Sequence, residues 1–239
     1  MKKIIISVFV AFGLFLSAFL TSSAMAGGFG VGIIGAGANF TTTGSETEGT
    51  GDQETNYAPD QDANVLYGSI FAEYTFGEMY GLTLGASYTP GNVSLGAKSR
   101  SDTETATNLA DTGQANNDAG RYSAEAKVSN HATIYIEPTI MPTENWGVYL
   151  KGGVARVTVN SLESIALGAS SSAYGDETIN GLMYGVGMKG GFDSGMFYKL
   201  EVIRILYERV KMTSTTGNKN TIHADPEQLA ARLAIGYRF

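Results

Sequence analysis

The chain has no cysteine, two histidines, one tryptophan and five prolines in 239 residues, and beyond its first twenty residues it has no long apolar run. Without cysteine there is no disulfide framework, zinc ribbon, dithiol redox site or lipid-modified N-terminal cysteine. Charge is scarce too: Asp, Glu, Lys and Arg make up 16 % of the chain, against roughly 25 % in an ordinary soluble domain. That is too little for a solvated, disordered chain. The balance is acidic, 16 Lys+Arg against 23 Asp+Glu, so no nucleic acid is expected as a partner, because its phosphates demand a basic surface. A mean hydropathy of −0.03 excludes a bundle of membrane helices. What the chain has in quantity is glycine (31), tyrosine (13) and phenylalanine (11). That profile suits an all-β protein of one-domain size.

The N-terminus reads as an export address. Lys2 and Lys3 precede an uncharged run over 4–20, and Ala24-Met25-Ala26 supplies the small-residue pattern of signal-peptidase cleavage. The division expected is a signal peptide over 1–26, cut after Ala26 with Ala24 two residues upstream, and one domain over 27–239. The alternative is a retained anchor, since the apolar run is close to the lower limit for a spanning helix.

The remainder alternates with a period of two, which places successive side chains on opposite faces of a strand. The C-terminus is the cleanest case: Leu229, Ala231, Leu233, Ile235, Tyr237 and Phe239 share one face, with Gln228, Arg232 and Arg238 on the other. Leu66, Ile70, Ala72, Tyr74 and Phe76 alternate with Tyr67, Ser69, Phe71, Glu73 and Thr75. Similar patterns run over 82–89, 131–138, 148–155 and 182–192. Two strands are less regular. The stretch 196–210 begins with Tyr198, Leu200 and Val202 opposite Lys199 and Glu201, then shifts phase at Val202-Ile203. A β-bulge there predicts that Arg204 and Glu208 join the polar face. The stretch 28–40 is so rich in glycine that its facing is ambiguous. Together these are eight candidate strands.

Their connections alternate strictly. Long polar stretches over 42–63, 91–121, 160–177 and 212–227 are separated by short turns over 77–80, 142–146 and 193–195. Long structureless loops are uncommon in compact soluble domains. Short turns at one end and long loops at the other are what a transmembrane barrel requires. The fold expected is therefore an eight-stranded antiparallel up-and-down barrel with short periplasmic turns, long extracellular loops and lipid against its apolar face. A soluble barrel or sandwich is the alternative, but gives no reason for every long loop to fall at one end. Aromatics gather toward both ends: Phe76, Tyr80, Trp146, Tyr149, Phe192, Phe197, Tyr198, Tyr237 and Phe239 near the short turns, and Tyr57, Tyr67, Tyr88, Tyr122 and Tyr207 near the long loops. Two interfacial girdles would look like this.

The terminal Leu-Ala-Ile-Gly-Tyr-Arg-Phe, with Leu233, Ile235, Tyr237 and Phe239 at alternate positions, resembles the C-terminal signal of bacterial outer-membrane β-barrels. The glycine-rich start of the mature chain and the strand count resemble the small OmpA/OmpX-type and opacity-like surface barrels. The resemblance implies a Gram-negative outer membrane, both termini in the periplasm, a monomer contacting membrane lipid and lipopolysaccharide, and recognition of the last strand by the barrel-assembly machinery. Nothing in the sequence resembles the soluble peptidoglycan-binding domain that follows some barrels of this class.

An eight-stranded barrel is just wide enough for its own side chains. Glu73, Glu137, Glu201 and Glu208 are expected inside, with Lys151, Lys189, Lys199, Arg204 and Arg232. Acids and bases in near balance suggest a self-neutralising plug, because a bare buried charge costs several kcal/mol. The competing reading is a charge-lined, conducting constriction.

Other chemistry has less support. His131 and His223, with Ser123 or Ser129, could form a hydrolytic site, but serine and acid are so common in these loops that proximity in sequence says little. Glu46, Glu48, Asp52, Glu54, Asp60 and Asp62 could collect calcium, but their spacing does not match the EF-hand loop and a solvated acidic loop is the better reading. No catalytic residue, cofactor or metal ligand is assigned. The expected role is structural or surface-interacting, in membrane integrity or adhesion to an extracellular ligand or surface. The alternative is a narrow porin or an OmpW-like conduit for small solutes.

Overall fold

The computed structural model of the chain describes residues 27–47, 55–77, 80–102, 120–143, 146–165, 174–192, 194–215 and 219–239. The expected signal segment with Ala24 and Ala26, and the acidic residues Glu48, Asp52 and Glu54, lie outside these residues. Among the described residues there are nine strands: β1 (Gly27–Thr47), β2 (Thr55–Phe76), β3 (Tyr80–Asp102), β4 (Gly120–Ile140), β5 (Trp146–Ile165), β6 (Asp176–Gly191), β7 (Met196–Tyr207), β8 (Val210–Thr213) and β9 (Thr221–Arg238). Each pairs antiparallel with its neighbour, and β9 returns to β1, with Gly30 opposite Arg238 and Thr47 opposite Thr221. The sheet is a closed barrel of eight wall strands. The short β8 continues β7 outward and pairs with β9 alone.

Alternation decides which side of the wall each residue takes. The outer face carries Ile33, Leu66, Ile70, Leu150, Leu182, Val186, Val202, Leu229 and their neighbours, all exposed in the isolated chain, Leu66 by as much as 87 %. The inner face carries the buried polar and charged groups. An exposed apolar band around a closed wall is stable only against lipid, and closure leaves no backbone edge in hydrocarbon. On β3 the band runs from Tyr80 to Tyr88. Nine residues at about 3.3 Å each, tilted by ~40°, cover roughly 20 Å, close to the ~25 Å height of such bands.

The strands continue well past the band. Much of the expected long connection over 42–63, and the two ends of that over 91–121, are strand: β1 and β2 pair out to Thr47 and Thr55, and β3 and β4 out to Asp102 and Gly120. Polar outward residues such as Thr41, Thr43, Asp60 and Asp62 hide this extension from a search for apolar alternation, because its outer face is wet.

The expected phase shift in β7 is absent. Phe197, Lys199, Glu201, Ile203 and Ile205 are all buried inside, and β7 pairs with β6 without a register shift. Arg204 therefore faces outward, where its guanidinium reaches Glu227 at 2.6 Å. The misreading has a physical cause: the outer half of the interior is apolar, so Ile203 and Ile205 point inward although lipid-facing residues were expected to be the apolar ones. The break comes at Glu208-Arg209, between β7 and β8. There Glu208 turns to β6 and its carboxylate accepts from the Asn180 backbone N–H and side-chain amide. The ambiguous start of the chain is also resolved: Gly28, Gly30, Ile34, Ala36, Ala38 and Phe40 all face inward.

Beyond that break, β8 is held by Arg209, whose guanidinium donates twice to Asp225, at 2.8 and 2.7 Å. These hydrogen bonds hold the Asp225 carboxyl below the usual carboxylate range. A depressed pKa stabilises the fold above the unfolded value and loses that contribution as pH falls through the folded one. Hydrogen exchange at the amides of β8 should therefore quicken, beyond its intrinsic pH dependence, below about pH 4. Asp225→Asn should show the faster exchange at every pH; a wild-type profile in that variant would remove the ion pair from the account.

One wall junction is short. The β2–β3 ladder runs only from Ile70–Tyr88 to Phe76–Leu82, although both strands continue outward. Its outer end is marked by Ser69 and Thr89, whose hydroxyls lie 2.7 Å apart. Immediately beyond, Pro90 has no N–H to give. Gly91 adopts φ 81°, and β3 shifts register against β4 between Thr89 and Asn92. Among the described residues the ladder between β2 and β3 thus ends at Ile70–Tyr88, and the wall is split outside the lipid band.

Candidate functional site: the charged lumen

The centre of the interior is a chain of alternating charges drawn from five strands. Lys199 Nζ on β7 lies 2.7 Å from Glu73 on β2 and 2.7 Å from Glu137 on β4. Glu137 is shared with Lys151 on β5 at 3.1 Å, and Lys151 reaches Glu201 on β7 at 2.8 Å. Glu201 in turn lies 3.0 Å from Arg232 Nε on β9. The order is Glu73, Lys199, Glu137, Lys151, Glu201, Arg232: three negative and three positive groups, neutral overall. Their side chains are at most 2 % exposed.

Two tyrosines that sequence reading did not assign to the network complete it. Tyr135 donates to Glu73 at 3.2 Å and Tyr149 donates to Glu201 at 2.9 Å. Lys151 also stands over the Tyr135 ring, 3.8 Å from its centroid, a position in which the ring face stabilises the ammonium. Each ring lies across a glycine of the neighbouring strand. Tyr135 is opposite Gly85 and Tyr149 opposite Gly187, and a Cβ on either glycine would run into the ring. The period of two already put both tyrosines on the polar face. Tyr149 and Phe197 were instead expected in the inner girdle, and both are buried inside. The inner rim keeps Tyr80, Trp146, Phe192, Tyr237 and Phe239 on the outside. At the other end Tyr67 and Tyr207 turn inward, while Tyr88 faces out.

Lys189 is also inside, but it donates to Thr83 at 3.1 Å rather than joining the chain of carboxylates. Arg204 and Glu208, expected in the network, are not part of it. Leu233, Ile235, Tyr237 and Phe239 all lie exposed on the outer face of β9 and just past it.

Toward the extracellular-type long loops the interior becomes apolar, with Phe40, Val128, Val157, Ile179, Met183, Ile203 and Ile205 buried against one another. One polar string is embedded there: Tyr207 donates to Gln228 at 2.9 Å, Gln228 donates to Tyr67 at 2.8 Å, and His131 Nε2 lies 3.2 Å from the Tyr207 oxygen. Since the Tyr207 proton goes to Gln228, Nε2 of His131 is the donor in that contact. His131 is thus a packing histidine, and Ser129 donates elsewhere, to Asn160 at 2.8 Å. The cavity bounded by Tyr67, Thr89, His131, Tyr207 and Gln228 measures about 20 Å³, enough for a single water. His223 sits in β9 opposite Lys211, and Asp225 is taken by Arg209. In the acidic stretch, Asp60 and Asp62 accept from Thr43 and Thr41, and Glu46 from Tyr174 and Asn220. Among the described residues no three acids or histidines are grouped to hold a metal ion.

A closed eight-stranded wall with an apolar outer band, an aromatic rim and a polar centre is a transmembrane β-barrel of the small outer-membrane kind. Solved structures of similar fold include OprG, an outer membrane protein of Pseudomonas aeruginosa (14 % identity, TM-score 0.45, covering 87 % of this chain and 96 % of that one). Another is Ail, the attachment invasion locus protein of Yersinia pestis, solved with the heparin analogue sucrose octasulfate (13 % identity, TM-score 0.38, covering 87 % and 99 %). A third is the translocator domain of the autotransporter NalP from Neisseria meningitidis (14 % identity, TM-score 0.31, covering 100 % and 98 %). No family model matches the chain, and no curated protein matches it.

Proposed function

We propose that the chain is a non-enzymatic outer-membrane barrel with a sealed lumen, acting through its wall and its outward extension in membrane integrity or surface interaction. The carrying observation is the neutral chain of six buried charges across the bore. A conducting constriction needs solvated charges that ions can approach and leave; here each charge is already neutralised by its neighbour and shielded from water. The band meets membrane lipid, including lipopolysaccharide in the outer leaflet. The outward row Leu233, Ile235, Tyr237 and Phe239 is what the assembly machinery reads, and both termini lie in the periplasm.

The test is a planar lipid bilayer. Purified wild-type protein should leave the bilayer silent, and Glu137→Ala with Lys199→Ala, which takes out the middle of the chain, should give resolved single-step openings. Stable steps from the wild-type protein would reject the sealed lumen.

A second reading, a conduit for small apolar molecules, has one observation in its favour: the apolar outer interior adjoins the split between β2 and β3. The cavity at that place is about 20 Å³, whereas sites for organic ligands run to ~300 Å³ or more. The sealed barrel is the better-supported reading.

A further inference from the structure

The charges inside the barrel do not all cancel. Besides the three acids and three bases of the central chain, the bore takes in Lys189 and Arg238. Lys189 is 6 % exposed, and among the described residues its one hydrogen-bond partner is the Thr83 hydroxyl at 3.1 Å. Arg238 lies with its stem against Gly28 and its guanidinium over the buried Phe197 ring, 5.1 Å from the centroid. Its Nε is shut off from water and has no hydrogen-bond partner among the described residues. Neither cation forms an ion pair with a described carboxylate. Glu73 Oε1 is also unpartnered, but the Phe197 ring covers Gly30, which stands between Glu73 and Arg238 in the ladders. A cation drawn out of water without a counter-charge is costly. The two excess positive charges call for an anion.

Both cations approach one patch of the wall. Gly28, under the Arg238 stem, is the ladder partner of Thr75 on β2. The Thr75 and Thr83 hydroxyls lie 2.9 Å apart, and Thr83 accepts from Lys189, which reaches it from β6 across the bore. Whichever threonine donates within that pair, the other keeps a proton with no acceptor among the described residues. Lys189 has two further protons to give, since an ammonium carries three. The charges that act on Lys189 are those of Glu137, Lys199, Glu73 and Arg238, two of each sign, so its own charge stays uncompensated. The patch thus gathers donors from β3, β6 and β9 and is short of acceptors. It opens toward the short turns, where Arg238 is partly exposed.

We propose that this end of the bore is an oxyanion site, taking a phosphate or phosphate-ester group between Lys189 Nζ, the Thr75–Thr83 hydroxyls and the Arg238 guanidinium. Phosphate suits the donor set, because its oxygens accept from several directions, a guanidinium meets them as a fork and an ammonium as a point charge. A phosphate monoester carries about −1.5 to −2 at neutral pH, which matches an excess of two cations. Two sources supply that chemistry at this mouth: the headgroup of an adjacent lipid and a soluble phosphate. The site lies on the short-turn side of the central charge chain, so the inference stands whether or not the lumen is sealed.

The test follows the proton–nitrogen correlation signal of Arg238 Nε–H in protein folded in decyl maltoside, an uncharged detergent. Sodium phosphate at neutral pH should move that signal saturably, and at least tenfold further than sodium chloride of equal ionic strength. Lys189→Met should need at least tenfold more phosphate for the same movement. Phosphate should also raise the urea midpoint, since a ligand of the folded state alone stabilises it. Because phosphate stabilises folded proteins generally, the specific part is the rise that wild type shows beyond Lys189→Met and Arg238→Gln. Heat-modifiable migration confirms that each variant is folded. The two sources are separated in nanodiscs of phosphatidylcholine and phosphatidylglycerol without free phosphate. A signal already displaced there, and indifferent to added phosphate, assigns the site to the headgroup; one that still moves assigns it to soluble phosphate. A signal moved by neither phosphate nor lipid would overturn the proposal. So would chloride acting as well as phosphate, or variants that respond as wild type does.

Discussion

Replacing Lys199 by Met should destabilise the barrel by about 3–5 kcal/mol, the usual cost of removing one partner from a buried ion pair. Lys199 is the common neighbour of Glu73 and Glu137, and both carboxylates are inaccessible to water. Methionine fills most of the volume but leaves the Glu73 carboxylate without a cation and Glu137 with Lys151 alone. The measurement is equilibrium unfolding in urea, followed by the loss of the fast-migrating folded band on unheated gels. The double variant Glu73→Gln, Lys199→Met removes the stranded charge as well, leaves Glu137, Lys151, Glu201 and Arg232 in balance, and should recover a large part of the loss, since neutral replacement of a buried ionic group is often close to neutral in free energy. A Lys199→Met protein within about 1 kcal/mol of wild type would mean that the interior is wetter than its geometry indicates.

Gly32→Val should prevent most of the chain from reaching the closed state. Gly32 lies opposite Gly236 in the β1–β9 pairing that closes the wall. A Cβ at position 32 would collide with the main chain at Ile235 and Gly236, and would stand 2.6 Å from the Phe71 ring. A side chain can swing aside, but a backbone carbonyl in a ladder cannot do so without opening the ladder. Overpacking typically costs ~1–3 kcal/mol, and the cost here falls on the closing junction. Gly35→Ala is the internal control, because nothing lies within 4 Å of its Cβ. Refolding into detergent micelles should give a folded fraction close to wild type for Gly35→Ala and a small one for Gly32→Val. Equal fractions would show that the β1–β9 junction is looser than its spacing indicates.

How much of this was legible beforehand depended on whether one side of the wall differed from the other. In β9 the outward residues are apolar throughout the band and Arg232 is inside, so the alternation gave the correct facing of that strand residue by residue. Glu73, Glu137, Lys151, Lys189, Lys199 and Glu201 were likewise placed inside by their parity alone. The reading failed where both faces carry the same chemistry. Along β7 beyond Glu201, isoleucines face an apolar interior while Val202 and Leu206 face lipid, so hydropathy has no contrast and a bulge was inferred where the strand runs straight. The outer parts of β1 to β4 were taken for loops because their outer face is as polar as any loop. The tyrosine–glycine pairs were also beyond reach: Tyr135 and Gly85, or Tyr149 and Gly187, meet only when the register between strands is known. Cross-strand pairing is long-range information, and parity within one strand does not contain it.

The charged interior also has a bearing on how the barrel comes into being. Lys199 and Glu73 are separated by 126 residues, Lys199 and Glu137 by 62, and Lys151 and Glu201 by 50. None of these pairs can form from a hairpin alone, and a partly built wall would hold ammonium and carboxylate groups that have left water without finding one another. Contacts so distant along the chain are made late and slowly. The last strand then contributes two things at once: the ladder to β1 and the guanidinium of Arg232 that completes the series. Wall closure and charge neutralisation thus become one event. Intermediates lacking it are disfavoured, and the chain is left with essentially two populations, open and sealed.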